Sequence, residues 1–374
     1  MRLASLALHA YQLPLRRAWR SAAGGMTQRS GWLLRLKNGE GRCGYGDCAP
    51  LPAIGTESPS SALAALQAWK AWLPGMSAAD ALARLTALPL DAPAPAARCA
   101  LETALLDLLA QEAGIPLARY LGAGNTATTA VPVNAALGAL ADIAPGDVAQ
   151  ALEAGHGVLK LKVGLGPPAL ELQQLRQLAE VLPPGITLRL DANRAWEMEY
   201  ACTMIDGLAS LPVESLEEPL QRPNWPEWRA LQARCTFPLA VDESLAQFPA
   251  DSWQEAGLRR LILKPPRLGG LLASRELAQA FIATGGDCVV TSSLESSCGI
   301  LAATHLALAI NSRHPTNQTG YQGGNPAHGL ATATWLEANL GPPTLPRQGR
   351  IPCPALPGLG FTPFPSVKFA ENGG

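Results

Sequence analysis

The stretch VLKLKVG at 158–164 decides the fold once it is set beside four later ones: LRLDANRAW at 188–196, ESLEEPL at 214–220, LAVDESL at 239–245 and LILKPPRLGG at 261–270. Each is a short apolar, β-rich run that closes on a charged residue. The closing residues are Lys162, Asp191, Glu217, Asp242 and Lys264, spaced by 29, 26, 25 and 22 residues. A helical stretch follows each run. Strand-plus-helix units recurring at this interval require parallel strands joined by crossover helices. Further runs at Val131–Asn134 and Cys288–Thr291 extend the series to seven. Seven or eight such units form a TIM-type barrel. A doubly wound sheet would bring a Gly-rich phosphate loop, and neither G-x-G-x-x-G nor G-x-x-x-x-G-K-[ST] occurs.

In a parallel barrel the active site is built at the C-terminal ends of the strands, where these five charges fall. A charge embedded in an apolar strand is costly unless it is paired or metal-bound. Three carboxylates brought together repel and raise one another's pKa, and a hard dication relieves this. All-oxygen donors favour Mg²⁺, with Mn²⁺ as a substitute, over zinc. The five histidines (9, 156, 305, 314 and 328) form neither H-x-H nor H-E-x-x-H. Lys162 and Lys264 then face each other across the ion. A lysine near a cation and partly desolvated has a lowered pKa and acts as a base. Base, facing acid and metal together suit removal of a proton next to a carboxylate and stabilisation of the resulting enediolate.

The rest of the chain sets the frame. It has 374 residues, 48% hydrophobic and 16% charged, which supports a large core in about two domains. A net charge of −1 gives no footprint for nucleic acid or an anionic membrane. The partner expected is a small-molecule carboxylate substrate. Eight scattered cysteines without C-x-x-C spacing read as the reduced thiols of a cytoplasmic protein, although Cys43 and Cys48 could meet. Met1–Ala10 reads as a strand rather than a signal peptide. Residues 296–312 carry no Asp, Glu, Lys or Arg over 17 positions and read as a buried helix. Strands over 31–37 and 44–47, broken by Asn38-Gly39, precede helices over 60–72, 77–88 and 97–114, a strand-then-helix order that marks an α+β domain. Leu88–Pro95 is a linker inside it.

The strand-end series, with the paired lysines Lys160 and Lys162, resembles the muconate-lactonizing branch of the enolase superfamily. GYGDCAPLPAIGTES at 44–58, LRLDANRAW and SSLESSCG at 292–299 resemble the o-succinylbenzoate synthases within it. The resemblance implies a modified TIM barrel, (β/α)7β, with an α+β capping domain. Its expected boundaries are a cap over 1–127, a barrel over 128–322, and a segment over 323–374 that completes the barrel and returns to the cap. It implies Asp191, Glu217 and Asp242 as metal ligands, with Glu218 beside them but not ligating. Lys162 is then the base and Lys264 the cation opposite. Lys160 shares the face of Lys162 and serves either charge balance or a substrate carboxylate. Asn193 orients ligands, and Arg189 either contacts substrate or pairs with acidic neighbours. Ser292, Ser293 and Glu295 either hold a distal substrate carboxylate or simply start a helix, two roles that are compatible. The Arg20–Thr27 stretch reads as a closing loop or an ordinary surface loop. Residues 320–330, GYQGGNPAHGL, lack the Asp-x-Asp by which dipeptide epimerases grip an amino group. The expected activity is syn dehydration to o-succinylbenzoate in menaquinone biosynthesis, with N-acylamino acid racemisation or cycloisomerisation as the alternative.

Overall fold

The computed structural model describes residues 2–21, 24–89, 94–124, 129–249, 252–312 and 325–369. The boundaries expected at 127/128 and 322/323 fall outside them, as do the middle of the 88–95 linker and residues 320–324.

The chain begins with a long antiparallel pair, β1 (Leu3–Ser21) and β2 (Gly24–Asn38), to which β3 (Cys43–Cys48) adds as the third strand. The Asn38-Gly39 signal marks the β2–β3 turn. There the Asn38 side-chain oxygen accepts from the backbone N–H groups of Glu40 and Arg42, at 3.1 and 2.9 Å. Helices α1 (Pro59–Trp72) and α2 (Ala78–Thr86) start at serine caps, Ser58 and Ser77, whose hydroxyls accept from the first turn. Helix α3 (Pro95–Glu112) lies on the sheet so closely that a Cβ on Gly44 or Gly46 would fall 2.1 or 1.9 Å from the carbonyl oxygens of Ala104 and Ala100. That approach explains Gly-Tyr-Gly in β3. Buried on nearly every side, α3 wedges between this sheet and the rest of the molecule. Its buried Asp107 accepts from the backbone of Tyr45 in β3 and of Leu359 near the C-terminus, which returns to this region.

After α4 (Leu117–Tyr120) and β4 (Ala130–Pro132) come the barrel strands: β5 (Ala135–Ala139), β6 (Val158–Lys162), β7 (Thr187–Asp191), β8 (Val213–Glu217), β9 (Leu239–Val241), β10 (Arg260–Leu263) and β11 (Asp287–Val290). They form one parallel sheet in chain order. Helices α5 (Pro145–Glu153), α6 (Pro168–Val181), α7 (Met198–Leu208), α8 (Trp225–Arg234), α9 (Pro265–Leu268), α10 (Leu271–Ala283) and α11 (Ser297–Asn311) fill the connections. The sheet curls until its two edges meet at residues 328 and 329, where His328 bridges Val133 and Gly329 bridges Thr291, both parallel. Among the described residues this two-residue seam stands at the place of an eighth strand. β12 (Arg350–Pro352) pairs antiparallel with β4. The fold is the modified TIM barrel with its cap.

Two local expectations change. The first barrel strand is β5, not Val131–Asn134, whose first part pairs with β12. The β-branched Val-Pro-Val outscores Ala-Ala-Leu-Gly-Ala on propensity, but packing in the sheet decides. The Arg20–Thr27 stretch is no irregular loop. It is the paired tip of a hairpin arm, with Trp19 opposite Met26 and Arg20 opposite Gly25, although Ala22 and Ala23 lie outside the described residues. The uncharged 296–312 segment is the buried helix α11, started by the Ser296 cap, and all eight cysteines are free. Among the described residues no helix is long and apolar enough to cross a membrane.

His305 on α11 joins three parts of the fold. Its Nδ1 accepts from the Ala118 N–H at 3.0 Å and lies 3.2 Å from Cys353 Sγ, while Nε2 stands 3.0 Å from the Leu359 carbonyl. Only the neutral ring carrying its proton on Nε2 fits these partners. Burial accordingly lowers its pKa from 6.5 to about 4. The folded value lies below the unfolded one, so the unfolded chain binds the extra proton. Stability from this group is complete above pH 6.5 and declines as pH falls toward 4. The decline amounts to about 3 kcal/mol. Denaturant midpoints across this range should fall for the wild type and fall less for His305→Gln; equal slopes would contradict the assignment.

Candidate active site

The five charges reach one end of the barrel because their strands run parallel and in step. Lys162, Asp191 and Glu217 are successive partners across β6, β7 and β8. Asp242 and Lys264 follow directly after β9 and β10. Lys160 and Lys162 share a face because side chains alternate along β6. Lys162 Nζ donates to Asp191 Oδ2 at 2.5 Å and to Asn193 Oδ1 at 2.7 Å. Lys160 Nζ lies between Asp191 Oδ2, at 2.9 Å, and Glu217 Oε2, at 2.5 Å. Lys264 Nζ donates to Asp242 Oδ2, and Arg267 Nη1 stands 2.6 Å from Asp242 Oδ1. Asn193, at a positive φ of 44°, passes its amide N–H on to Glu243 at 3.0 Å.

These contacts set the electrostatics. For Asp191, burial alone would raise the pKa, but Lys160 and then Lys162 outweigh it and hold the carboxyl well below the usual range. Burial likewise opposes ionisation of Asp242, where Arg267 and Lys264 prevail and hold it at about 2. Glu217 goes the other way: burial, then the neighbouring Asp191, pushes it up to about 8. For Lys160 and Lys264 burial is outweighed by facing carboxylates, so both ammonium groups sit above their ordinary range. For Lys264 those carboxylates are Asp242 and Glu243.

In this arrangement lysine ammonium groups stand between the acids, and no three His, Cys, Asp or Glu side chains among the described residues are gathered as an ion cage. The donor set nevertheless suits a hard dication. Glu217 Oε1 is buried without a hydrogen-bond partner. Its carboxyl is driven up by burial first and then by Asp191 and Asp242, the two acids that would share the ion, and all donors are oxygens. Glu218 is turned away: its oxygens accept from the backbone N–H groups of Asp242 and Ser244 at 2.6 and 2.8 Å and from the Ser244 hydroxyl, bracing the turn after β9.

A cavity of about 200 Å³ opens over this end. Lys160, Lys162, Asp191, Asn193 and Lys264 line it from the barrel, and Ser292 and Ser293 from the end of β11. Glu295 does not reach it. Its carboxylate bends back to accept from the Ser293 N–H at 2.7 Å, on the side facing Asp47 and Cys99. Arg189 also takes the acidic alternative. Fully buried, it pairs with Glu214 through Nε and Nη2 at 3.1 and 2.9 Å. Ser296, not Ser292 or Ser293, caps α11.

Several residues were not foreseen. Trp19 on the hairpin arm lies over Lys162, with the ammonium 5.9 Å from its ring, and packs edge-on against Trp335. Its place one residue before the stretch singled out as a lid was the available signal. Leu51 and Ile54 complete the roof. Arg267 and Glu243, each next to or three residues from a strand-end charge, brace Asp242 and Asn193.

A barrel of parallel strands that carries lysines and carboxylates at one mouth under an α+β cap defines a class of protein. Residues 146–367 match the family described as Enolase C-terminal domain-like, and residues 1–89 match MenC, N-terminal domain. The chain belongs to the enolase superfamily. It is 28% identical to the D-Ala-D/L-Ala epimerase of Cytophaga hutchinsonii over 82% of its own length and 84% of that protein's. To the o-succinylbenzoate synthase of Enterobacter sp. (strain 638) it is 31% identical, over 75% and 79%. The fold matches the crystal structure of the C. hutchinsonii dipeptide epimerase, complexed with Mg and D-Ala-L-Val, at a TM-score of 0.84 and 23% identity, with both chains fully covered.

Proposed function

We propose that this chain removes the proton α to the carboxylate of a hydroxycyclohexadiene bearing a succinyl arm and dehydrates it to o-succinylbenzoate, in menaquinone biosynthesis. Lys162 Nζ, acting as the base, takes the α proton, and the electron pair passes into the carboxylate as an enediolate. The Lys264 ammonium meets the developing negative charge. Lys162, now an ammonium, returns the proton to the β-hydroxyl on the same face, which leaves as water as the ring becomes aromatic. Asp191, Glu217 and Asp242 would hold Mg²⁺, which when bound polarises the substrate carboxylate. Trp19, Leu51 and Ile54 line the cavity with apolar surface.

The observation that carries the substrate choice is the sequence of residues 320–330, GYQGGNPAHGL, which holds no Asp or Glu where dipeptide epimerases carry the Asp-x-Asp that grips an amino group. Among the described residues the acidic lining of the cavity is Asp191, paired with Lys160 and Lys162, and Glu243, which accepts from Asn193. The cap match over residues 1–89 supports the same reading, since Leu51 and Ile54 come from it. The test offers purified protein with Mg²⁺ three substrates: the diene, an N-succinylamino acid and a dipeptide. Loss of diene absorbance is expected. Epimerisation of either alternative with the diene untouched would overturn the reading.

Racemisation of N-succinylamino acids is the second reading, because Lys162 and Lys264 line one cavity. The two differ in what Lys264 must do. A racemase needs it as an acid and base, whereas dehydration needs a cation. Lys264→Arg keeps the charge but does not release a proton. Dehydration is expected to survive within about tenfold, whereas loss of a general base would cost about 10²–10⁴-fold. Steady-state rates on both substrates decide.

A further inference from the structure

Where the barrel closes, two polar groups are left unanswered. Asn134, just before β5, is 1% exposed and lines the cavity over the lysines. Arg189 Nη1 donates to its Oδ1 at 3.2 Å, while Nδ2 has no hydrogen-bond partner. Across the seam, Thr291 at the end of β11 lines the same cavity, and its hydroxyl also lacks a partner. The amide cannot be turned round without setting its N–H₂ against a guanidinium. Arg189 therefore fixes which end of Asn134 is free. An unmet buried donor costs free energy until an acceptor arrives.

We propose that Asn134, oriented by Arg189 and joined by Thr291, donates to an oxygen of the bound substrate at the cavity floor and so helps to set substrate affinity. Arg189 is the positioning residue of this pair, acting through Asn134 rather than on the ligand. The inference rests on the reading that the substrate brings a carboxylate or carbonyl oxygen into this cavity.

Asn134→Asp is the informative variant. It is isosteric, leaves an oxygen facing Arg189, and replaces the donor by a charged acceptor. A structural role would survive the change, whereas a ligand contact would become repulsive. Melting temperature and kcat/KM are measured for wild type, Asn134→Asp and Asn134→Ala on the three substrates named above. On whichever substrate the wild type turns over, the expected result is a loss of kcat/KM of about tenfold or more for Asn134→Ala. A larger loss is expected for Asn134→Asp, mainly in KM, with the Asp variant melting at least as high as wild type. Wild-type KM in Asn134→Asp would overturn the inference whatever the substrate. Turnover of a different substrate with the Asp variant impaired would overturn the dehydration reading and leave this one standing. No turnover of any of the three would overturn both.

Discussion

Replacing Lys162 by alanine is expected to lower kcat by about 10²–10⁴-fold, the usual worth of a positioned general base, while the protein keeps its fold. The reason lies in how the charges are shared. Asp191 is met by two ammonium groups, Lys162 at 2.5 Å and Lys160 at 2.9 Å, so removal of one leaves the buried carboxylate paired. Asn193 keeps Glu243 as its other partner. What disappears is the amine that Trp19 covers and that opens onto the cavity. Steady-state kinetics and a thermal melt separate the two effects. Activity within tenfold of wild type would place the base elsewhere, with Lys264 the next candidate.

The largest expected loss of stability comes from Glu214→Ala. Glu214 lies inside the barrel and binds two guanidinium groups. Arg189 reaches both of its oxygens, and Arg260 Nη1 reaches Oε1 at 2.6 Å. Asp287 holds the far side of Arg260 at 2.6 and 2.7 Å. Burial opposes the charge on Glu214, but Arg189 and then Arg260 overwhelm it and hold the carboxyl well below the usual range. Truncation leaves two buried cations with too little opposing charge, and breaking a buried pair in this way costs about 3–5 kcal/mol. Urea unfolding should show the unfolding free energy lowered by that amount. A shift below about 1 kcal/mol, the scale of an exposed pair, would mean that the network is solvated. Because Arg189 also orients Asn134, the variant should bind substrate more weakly even at temperatures where it stays folded.

The strand ends were legible because a charge closing an apolar β run is expensive, and five at a regular interval require a common purpose. The helices expected over 60–72 and 77–88 form as α1 and α2, and the serine caps that start them, Ser58 and Ser77, act within one turn. The partners of Arg189 were open between two readings, since its contacts lie 25 and 55 residues away and depend on barrel register. Trp19 was missed for a similar reason: only the folded hairpin arm carries it over Lys162. The first strand was misplaced because local β-propensity favours Val-Pro-Val-Asn over Ala-Ala-Leu-Gly-Ala, while a strand in this sheet needs only small residues that pack. The direction of the Lys160 and Lys264 shifts was not legible, because it follows from partners that only the fold brings in, Asp191 and Glu217 for the one and Asp242 and Glu243 for the other.

The most direct measurement is a crystal structure grown with Mg²⁺ and o-succinylbenzoate. The expected result is one ion ligated by Asp191, Glu217 and Asp242, with Lys162 and Lys264 on opposite faces of the product ring. Product density with no ion between those acids, and both lysines still bonded to Asp191 and Asp242, would contradict it.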